Sequence, residues 1–340
     1  MILADQLDMN GAVNSNFGNS YGFYDFSENI LDLNIFYNDL QGWIQYEYSN
    51  PPDIGFANND IRKFRLEYST GDLVLKLGDL YEFWGRGLLL NQFDDQVTNF
   101  DNGTRGMLIE YDNGMFSASH MNGNSNIWNM GADTRTPEFN NIHSMMANRI
   151  QYNRGLMSLG LTQLRSNEEH DVNFGPSVMA SHNLKGAYAT WAGGNADFFV
   201  EYVDKVSTEK VTMFGTIPND TLIKGHGYYQ NFNFYLGNWG LSTEYKRYSF
   251  DKAYGDLSAD DYGNQIEYQQ MPTLGKEQNS TLLGRLTHNY NFNDERGVQL
   301  ELNGSLLGLS LTAQYAHLSR NETWQSVGAF DWVDKAIKGY

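Results

Sequence analysis

Apolar side chains recur at every second position along much of this chain, and that period is the feature that most limits its fold. In the segment LDLNIFY, Leu31, Leu33 and Ile35 alternate with Asp32 and Asn34. Successive side chains of a β-strand point to opposite faces, so the period predicts strands with one apolar face and one polar face. The apolar face must then be covered, either by a protein core or by lipid.

The same alternation predicts about sixteen strands, an even number as expected of a bacterial barrel. Besides 31–37, they span 6–17, 43–48, 61–68, 73–81, 104–111, 115–121, 147–152, 156–164, 184–191, 196–203, 225–236, 241–248, 282–291, 298–303 and 308–318. The period alone does not separate a soluble sandwich from a membrane barrel, because the two differ only in which face meets water.

Connection lengths separate the two classes. From Thr104 onward, short turns alternate with long polar connections, whereas Greek-key topology would scatter the lengths. The turns are expected at 112–114, 153–155, 192–195 and 237–240, and the long loops at 122–146, 165–183, 204–224 and 249–281. Short periplasmic turns and long external loops are typical of outer-membrane barrels. The chain is therefore predicted to be all-β, a transmembrane antiparallel up-and-down β-barrel.

We expect one domain over residues 1–340. Met1–Ala4 is too short for a signal peptide, and the tail after residue 318 lacks a clear terminal strand. The prediction therefore allows for a missing signal peptide and for missing C-terminal residues.

Composition excludes several other classes. No run approaches the 18 or more apolar residues of a spanning helix, and mean hydropathy is −0.53. The 34 Gly and the 42 Tyr and Phe (22 and 20), with only 6 Pro, favour many strands joined by Gly and Asn turns. A chain without cysteine must find stability without disulfides, as a closed barrel does by pairing its edges. A net charge of −18 argues against nucleic acid as a partner.

Aromatic residues stand near the ends of many predicted strands. They include Tyr111, Phe116, Tyr152, Trp191, Tyr202, Tyr235, Trp239, Tyr245, Tyr290 and Tyr315. Amphipathic rings suit the headgroup level of a membrane, so these residues predict aromatic girdles. The alternative is that aromatic residues are simply good strand formers.

The segment from Asn29 to Tyr111 resembles a known family through the blocks SNPPDIG, IRKFRLEY, LKLGDLYEFWGRGLLLNQFDDQ and TRGMLIEY. It is similar to the porin-like outer-membrane β-barrels of Bacteroidota and related bacteria, and the block GDLYEFWGRGLLL carries most of the likeness. The resemblance implies an outer-membrane location and implies no particular substrate.

Charged and aromatic residues cluster between the strands at 73–81 and 104–121. The candidates for a pore constriction or substrate-binding site are Glu82, Trp84, Arg86, Asp94, Asp95 and Arg105. Opposed charges in a loop folded into a lumen can select solutes. In the alternative interpretation, the arginines pair with neighbouring acids and fix the loop to the wall.

Other chemistry is weakly signalled. The acidic run Glu168–Asp171 and the acidic loop 249–281 could bind divalent cations, but hydrated loop tips explain both. His120 with Ser117 or Ser119 is explained by chance adjacency, and no catalytic, metal or cofactor motif is present. Trp128 and Phe139 could stack on sugars.

These observations favour a porin-like protein of the bacterial outer membrane that passes or binds small solutes without covalent chemistry. Lipid and small solutes are the expected partners, and no enzyme activity or cofactor is expected. One alternative is a non-conducting barrel that acts as a scaffold or partner in a cell-envelope assembly. Another is a secreted carbohydrate-binding β protein.

Overall fold

The computed structural model describes most of the chain. The described residues are 7–20, 22, 24–53, 55, 57–95, 100–130, 137–172, 177–212, 220–250, 268–269, 271–272 and 295–319. Their strands are β1 (Leu7–Ser20), β2 (Tyr24–Tyr37), β3 (Leu40–Ser49), β4 (Asn59–Thr70), β5 (Leu73–Leu80), β6 (Phe83–Trp84), β7 (Leu90–Asn91), β8 (Asp94–Asp95), β9 (Phe100–Asp101), β10 (Thr104–Asp112), β11 (Phe116–Met130), β12 (Pro137–Arg154), β13 (Met157–Val172), β14 (Ser177–Gly193), β15 (Ala196–Thr212), β16 (Asp220–Leu236), β17 (Trp239–Ser249), β18 (Glu295–Leu306) and β19 (Leu309–Ser319).

Fifteen of these strands form one antiparallel sheet in the described part of the chain. The order is β1-β2-β3-β4-β5-β10-β11-β12-β13-β14-β15-β16-β17-β18-β19, so each strand pairs with the next long strand along the chain. This confirms the predicted all-β, antiparallel, up-and-down architecture. β17 pairs directly with β18, from Trp239 opposite Gly304 to Tyr248 opposite Glu295. The strand predicted at 282–291 lies outside the described residues.

The two faces of the sheet have the reverse of a soluble protein's polarity. On β4, Phe64, Leu66 and Tyr68 are 42–45% exposed, whereas Lys63 on the opposite face is 2% exposed. We call the face with exposed apolar side chains the outer face and the opposite one the inner face. A soluble sandwich would bury its apolar face, but a transmembrane sheet turns it toward lipid. The exposure pattern is therefore that of a transmembrane sheet and argues against the soluble alternative.

The predicted turns are confirmed, but three of the predicted loops are wrong. Described residues of 122–146, 165–183 and 204–224 continue the strands β11–β16, and the ladder that pairs Asn122 with Met146 runs without a register shift to Asn129 opposite Phe139. Their polar composition suggested loops because these strand extensions carry polar side chains on the outer face too, as at Asn124 and Asn126. A ladder needs only backbone groups, so polar side chains do not prevent it.

One long excursion leaves the sheet. β5 and β10 pair only as far as Leu80 opposite Thr104, while the neighbouring β11 continues to Met130. The residues between them, 81–103, form the short pairs β6–β7 and β8–β9, and we call them the inserted segment. Of these, 96–99 lie outside the described residues. No helix in the described ranges is long and apolar enough to cross a membrane.

Candidate functional site

The inserted segment lies on the inner face and packs its apolar side chains against the sheet. Trp84, Leu88, Leu89 and Leu90 have no exposed surface. Around them lie inward-facing side chains of the sheet, namely Leu108, Met121, Met145, Ala147, Leu164, Leu184, Phe199 and Val203. Burial of four large side chains contributes about 1.5–3 kcal/mol each, so the segment is held mainly by hydrophobic contact.

A tight turn connects this core to β15. Gly87 N donates to Trp84 O at 3.0 Å, and Gly85 adopts φ 63° within the turn. Arg86 N then donates to the buried Glu201 Oε2 at 2.6 Å. A Cβ on Gly85 would lie 2.5 Å from Glu201 Oε1, so both the backbone angle and the space require glycine.

The Arg86 side chain is exposed, unlike its backbone. Its guanidinium lies 5.1 Å from the centre of the Phe199 ring, a cation–π distance. The structure thus places an exposed cation above an aromatic ring on the inner face.

A second anchor joins the inserted segment to β4. β8 and β9 place Asp94 opposite Asp101, and Lys63 Nζ lies 2.5 Å from Asp94 Oδ2 and 2.9 Å from Asp101 Oδ2. Arg62 adds a contact of 3.4 Å to Asp94. Lys63 is nearly buried, so these pairs are less screened than surface pairs. Asp95 lies beside Asp94 and is paired in β8–β9 with Phe100.

Arg105 is separated from the other candidates. Its guanidinium makes a two-point contact with Asp79, at 2.9 and 3.0 Å, and lies 5.4 Å from the centre of the outer-face Phe64 ring. Asp79 Oδ2 also accepts from Phe64 N at 2.8 Å, where the β4–β5 ladder has ended at Gly78. Arg105 therefore lies beside Phe64 on the outer face, and its contact with Asp79 joins the ends of β10 and β5.

Glu82 and Trp84 belong to a third group. Trp84 Nε1 donates to Glu82 Oε2 at 3.0 Å, and Lys76 Nζ lies 3.8 Å from Glu82 and 2.9 Å from Glu110. Arg149 completes it, with its guanidinium 5.5 Å from the Trp84 ring centre. Burial, followed by the charge of Glu110, raises the pKa of Glu82 above its ordinary value. Five of the six candidates thus fall into separate groups around one apolar core, and Arg105 lies on the opposite face of the sheet.

A second stretch of chain covers the inserted segment. Tyr268 O accepts from Asn91 N at 2.8 Å, and Gln269 Nε2 donates to Leu88 O at 2.5 Å. Tyr268, Gln269 and Met271 are buried, so the prediction of a hydrated loop is wrong for these residues of 249–281. The uncharged sequence YQQMP inside an acidic stretch was the available signal.

The other described residues considered for cation binding or catalysis form no such site. Glu168 is an inward-facing, buried residue of β13 that contacts His182 Nε2 at 2.8 Å, so the hydrated-tip interpretation is wrong for it. His120 lies on the opposite face of β11 from the buried Ser117 and Ser119, so it forms no triad with either serine. Its Nδ1 instead contacts Asn148 Oδ1 at 2.8 Å. Within the described residues no group of three or more His, Cys, Asp or Glu could hold a metal ion.

The remaining predicted residues lie in strands or outside the described residues. Trp128 and Phe139 lie in β11 and β12 and not in a loop. Among the expected girdle residues, Tyr111, Phe116, Trp191, Tyr202, Tyr235 and Tyr315 are 41–54% exposed. Tyr290 and the remaining residues of 249–281 lie outside the described residues, apart from Ser249, Phe250 and the residues at 268–269 and 271–272.

Several solved structures are similar to this chain. OpdK, an outer membrane protein of Pseudomonas aeruginosa, is 13% identical with TM-score 0.43, covering 92% of this chain and 81% of that one. A refined porin is 11% identical with TM-score 0.40, covering 92% and 94%. OmpT of Vibrio cholerae is 14% identical with TM-score 0.34, covering 71% and 86%. At these values the likenesses assign no solute and no activity to this chain.

The curated proteins include none that matches the chain. The model of one protein family does match, over residues 24–319, from β2 to the end of β19. This range includes the inserted segment and both of its anchors. The chain therefore belongs to a family described as a family of unknown function (DUF6029).

Proposed function

We propose that this protein is a porin-like β-barrel of the bacterial outer membrane that passes or binds small solutes without covalent chemistry. Its sheet closes into a barrel of about sixteen strands, as in single-chain bacterial barrels. The inner face lines the lumen and the inserted segment narrows it. The likeness of the GDLYEFWGRGLLL block to barrels of Bacteroidota is part of this proposal.

The observation that carries the proposal is the position of the inserted segment. It lies on the inner face, rests on an apolar core, and is tied to β15 through Glu201 and to β4 through Lys63. A segment held at two separate points across the inner face would fix the width of a lumen, because its position could not change freely. Charged groups on such a constriction select solutes.

Arg86 and Asp94 differ in what they offer a solute. The Arg86 side chain is exposed, whereas Asp94 is paired with Lys63 and Arg62. We therefore assign solute selection to Arg86 and anchoring to Asp94. Asp94 follows the alternative interpretation in which charge pairs fix the loop to the wall.

Single-channel recording in planar bilayers tests the proposal. We expect the wild type to conduct, and we expect Arg86→Gln to shift the reversal potential in a salt gradient toward cation selectivity. The matched control is Arg154→Gln, an exposed arginine at the short turn after β12, which should leave the reversal potential unchanged. Equal shifts in both variants would exclude Arg86 as the selecting residue.

Asp94→Asn provides the complementary measurement. Loss of the Asp94 charge weakens the contacts with Lys63 and Arg62, so we expect a lower unfolding midpoint and noisier current. Lys63 would keep Asp101 as a partner, so we expect little change in the reversal potential. A shift as large as that of Arg86→Gln would reverse the assignment of the two roles.

One observation favours a second function, a non-conducting barrel that serves as a scaffold in an envelope assembly. Trp84, Leu88, Leu89, Leu90 and Tyr268 are all fully buried, as in a plug. A folded wild type that never conducts, but that copurifies with stoichiometric envelope partners, would select this function over the pore.

A further inference from the structure

The outer face of β13–β15 carries an apolar groove that the pore does not use. Two rungs of the ladder define it, with Leu161 opposite Ala187 opposite Tyr202, and Leu159 opposite Ala189 opposite Val200. The small alanines of β14 form its floor between larger side chains on both neighbours. The groove has a volume of about 550 Å3, and Phe116 of β11 with Ile150 and Tyr152 of β12 extends its apolar lining across the neighbouring strands.

Cationic side chains stand at one end of this groove. One rung further from the short turn at Gly194, Lys185 takes the place of the floor alanines, and Arg165 of β13 lies opposite Asn183 on the next rung. Both side chains are exposed on the outer face. Neither forms an ion pair within the described part of the chain. The chain has a net charge of −18, so two adjacent cations above an apolar groove are a distinctive arrangement.

We propose that this surface binds a phosphate-bearing membrane lipid, with one acyl chain in the groove and its phosphate between Lys185 and Arg165. The inference rests on the proposed membrane position of the barrel. Apolar lining suits an acyl chain. Guanidinium and ammonium groups form strong, charge-assisted hydrogen bonds with phosphate oxygens.

The order of groups along the strands matches that of a lipid. The exposed rings of Phe116, Trp191 and Tyr202 lie on the same outer face, and the cations follow the apolar rungs toward the longer connections. Each cation near a membrane surface increases the affinity for an anionic headgroup about fivefold. A zwitterionic lipid would gain less, because its own cation opposes the two side chains.

Asp204 modulates the site. It lies on β15 directly opposite Lys185 and is exposed on the same face. Its carboxylate opposes an anionic headgroup beside Lys185. Asp204→Asn should therefore tighten phosphate binding, whereas loss of the cations should weaken it.

Lipid titration of the purified full chain in neutral detergent tests the inference, with bound lipid counted by native mass spectrometry. The probes are dioleoyl phosphatidic acid and dioleoyl phosphatidylcholine. For the double variant Arg165→Gln/Lys185→Gln we expect roughly thirtyfold weaker binding of phosphatidic acid, the product of the two cations, and little change for phosphatidylcholine. Arg154→Gln, at the opposite ends of the strands, is the charge control.

A groove-filling variant tests the acyl chain separately. Ala187→Phe should weaken both lipids, because its ring occupies the floor. Unchanged phosphatidic acid binding in the charge variant would overturn the inference, and so would unchanged binding of both lipids in Ala187→Phe. Heat-modifiable gel migration verifies that each variant is folded. A barrel that binds lipid but never conducts would refute the pore and leave this site intact.

Discussion

Two sectors of the inner face differ sharply in polarity. Where the inserted segment lies, the sheet presents Leu108, Met121 and Leu164, all fully buried. On β2 and β3 the same face carries a polar network instead, in which Asp32 Oδ1 accepts from Trp43 Nε1 at 3.3 Å and from Gln45 Nε2 at 3.0 Å.

The inner-face polarity of each strand is thus set by what covers it. Side chains beneath the inserted segment are dry, so apolar residues stabilise them there. The β2–β3 sector lies away from the apolar core and uses hydrogen-bonding side chains. Both sectors carry exposed apolar side chains on the outer face, such as Leu31 and Leu161, as lipid contact requires.

Removal of the apolar contact itself has the largest expected effect. Trp84→Ala should lower the free energy of unfolding by about 3–5 kcal/mol, because a fully buried ring leaves a cavity. It should also raise conductance if the segment narrows a lumen. Denaturant titration in detergent and bilayer recording measure the two effects. The adjacent Phe83 is 53% exposed, so Phe83→Ala is the control and should change little. Equal losses would show that Trp84 contributes nothing through its burial.

A charge on the outer face tests the lipid side of the sheet. Leu66→Arg should cost about 2–4 kcal/mol if Leu66 faces the membrane midplane. Asn34→Arg, on the polar inner face of β2, should cost less, because its charge stays hydrated. The free energy of folding into lipid vesicles measures both. Greater harm from Asn34→Arg would reverse the assignment of the two faces.

Loss of the Glu201 anchor should have an intermediate effect. Glu201→Ala leaves Arg86 N without its acceptor and should cost about 1–3 kcal/mol. Glu201→Gln keeps an acceptor oxygen in place and should recover most of the loss. The unfolding midpoint and the frequency of current fluctuations measure the result. A Gln variant as damaged as the Ala variant would show that the charge, rather than the hydrogen bond, holds the turn.

The smallest expected effect is on pH dependence. The pKa of Glu82 is raised in the folded protein, so the folded state binds its proton more tightly than the unfolded state does. Its contribution to stability is therefore largest at low pH and falls as pH rises from the ordinary value of 4.5 to the raised pKa. Glu82→Gln should flatten this slope. Heat-modifiable gel midpoints at pH 4, pH 6 and pH 8 provide the measurement, and an unchanged slope would exclude Glu82 as its source.

The sequence predicted the wall better than the connections. Turns such as the one at Asp112–Gly114 were recognisable because glycine and asparagine suit positive φ, and Gly114 adopts 83°. The extensions of β11–β16 were missed because polar side chains on both faces resemble a loop. Of the site, the sequence indicated the segment carrying Trp84 and Arg86. It did not indicate Lys63, Glu201 or Tyr268, since each lies far from that segment along the chain.

The two-residue period was already present in the amino-acid sequence, because neighbouring side chains of a strand point to opposite faces, and the short turns indicated the up-and-down path. Which polar groups come into contact depended on the tertiary structure. Glu201 is 115 positions from Arg86, and Gln269 is 181 positions from Leu88. Such contacts depend on where the inserted segment packs on the sheet, and local sequence patterns do not indicate that position.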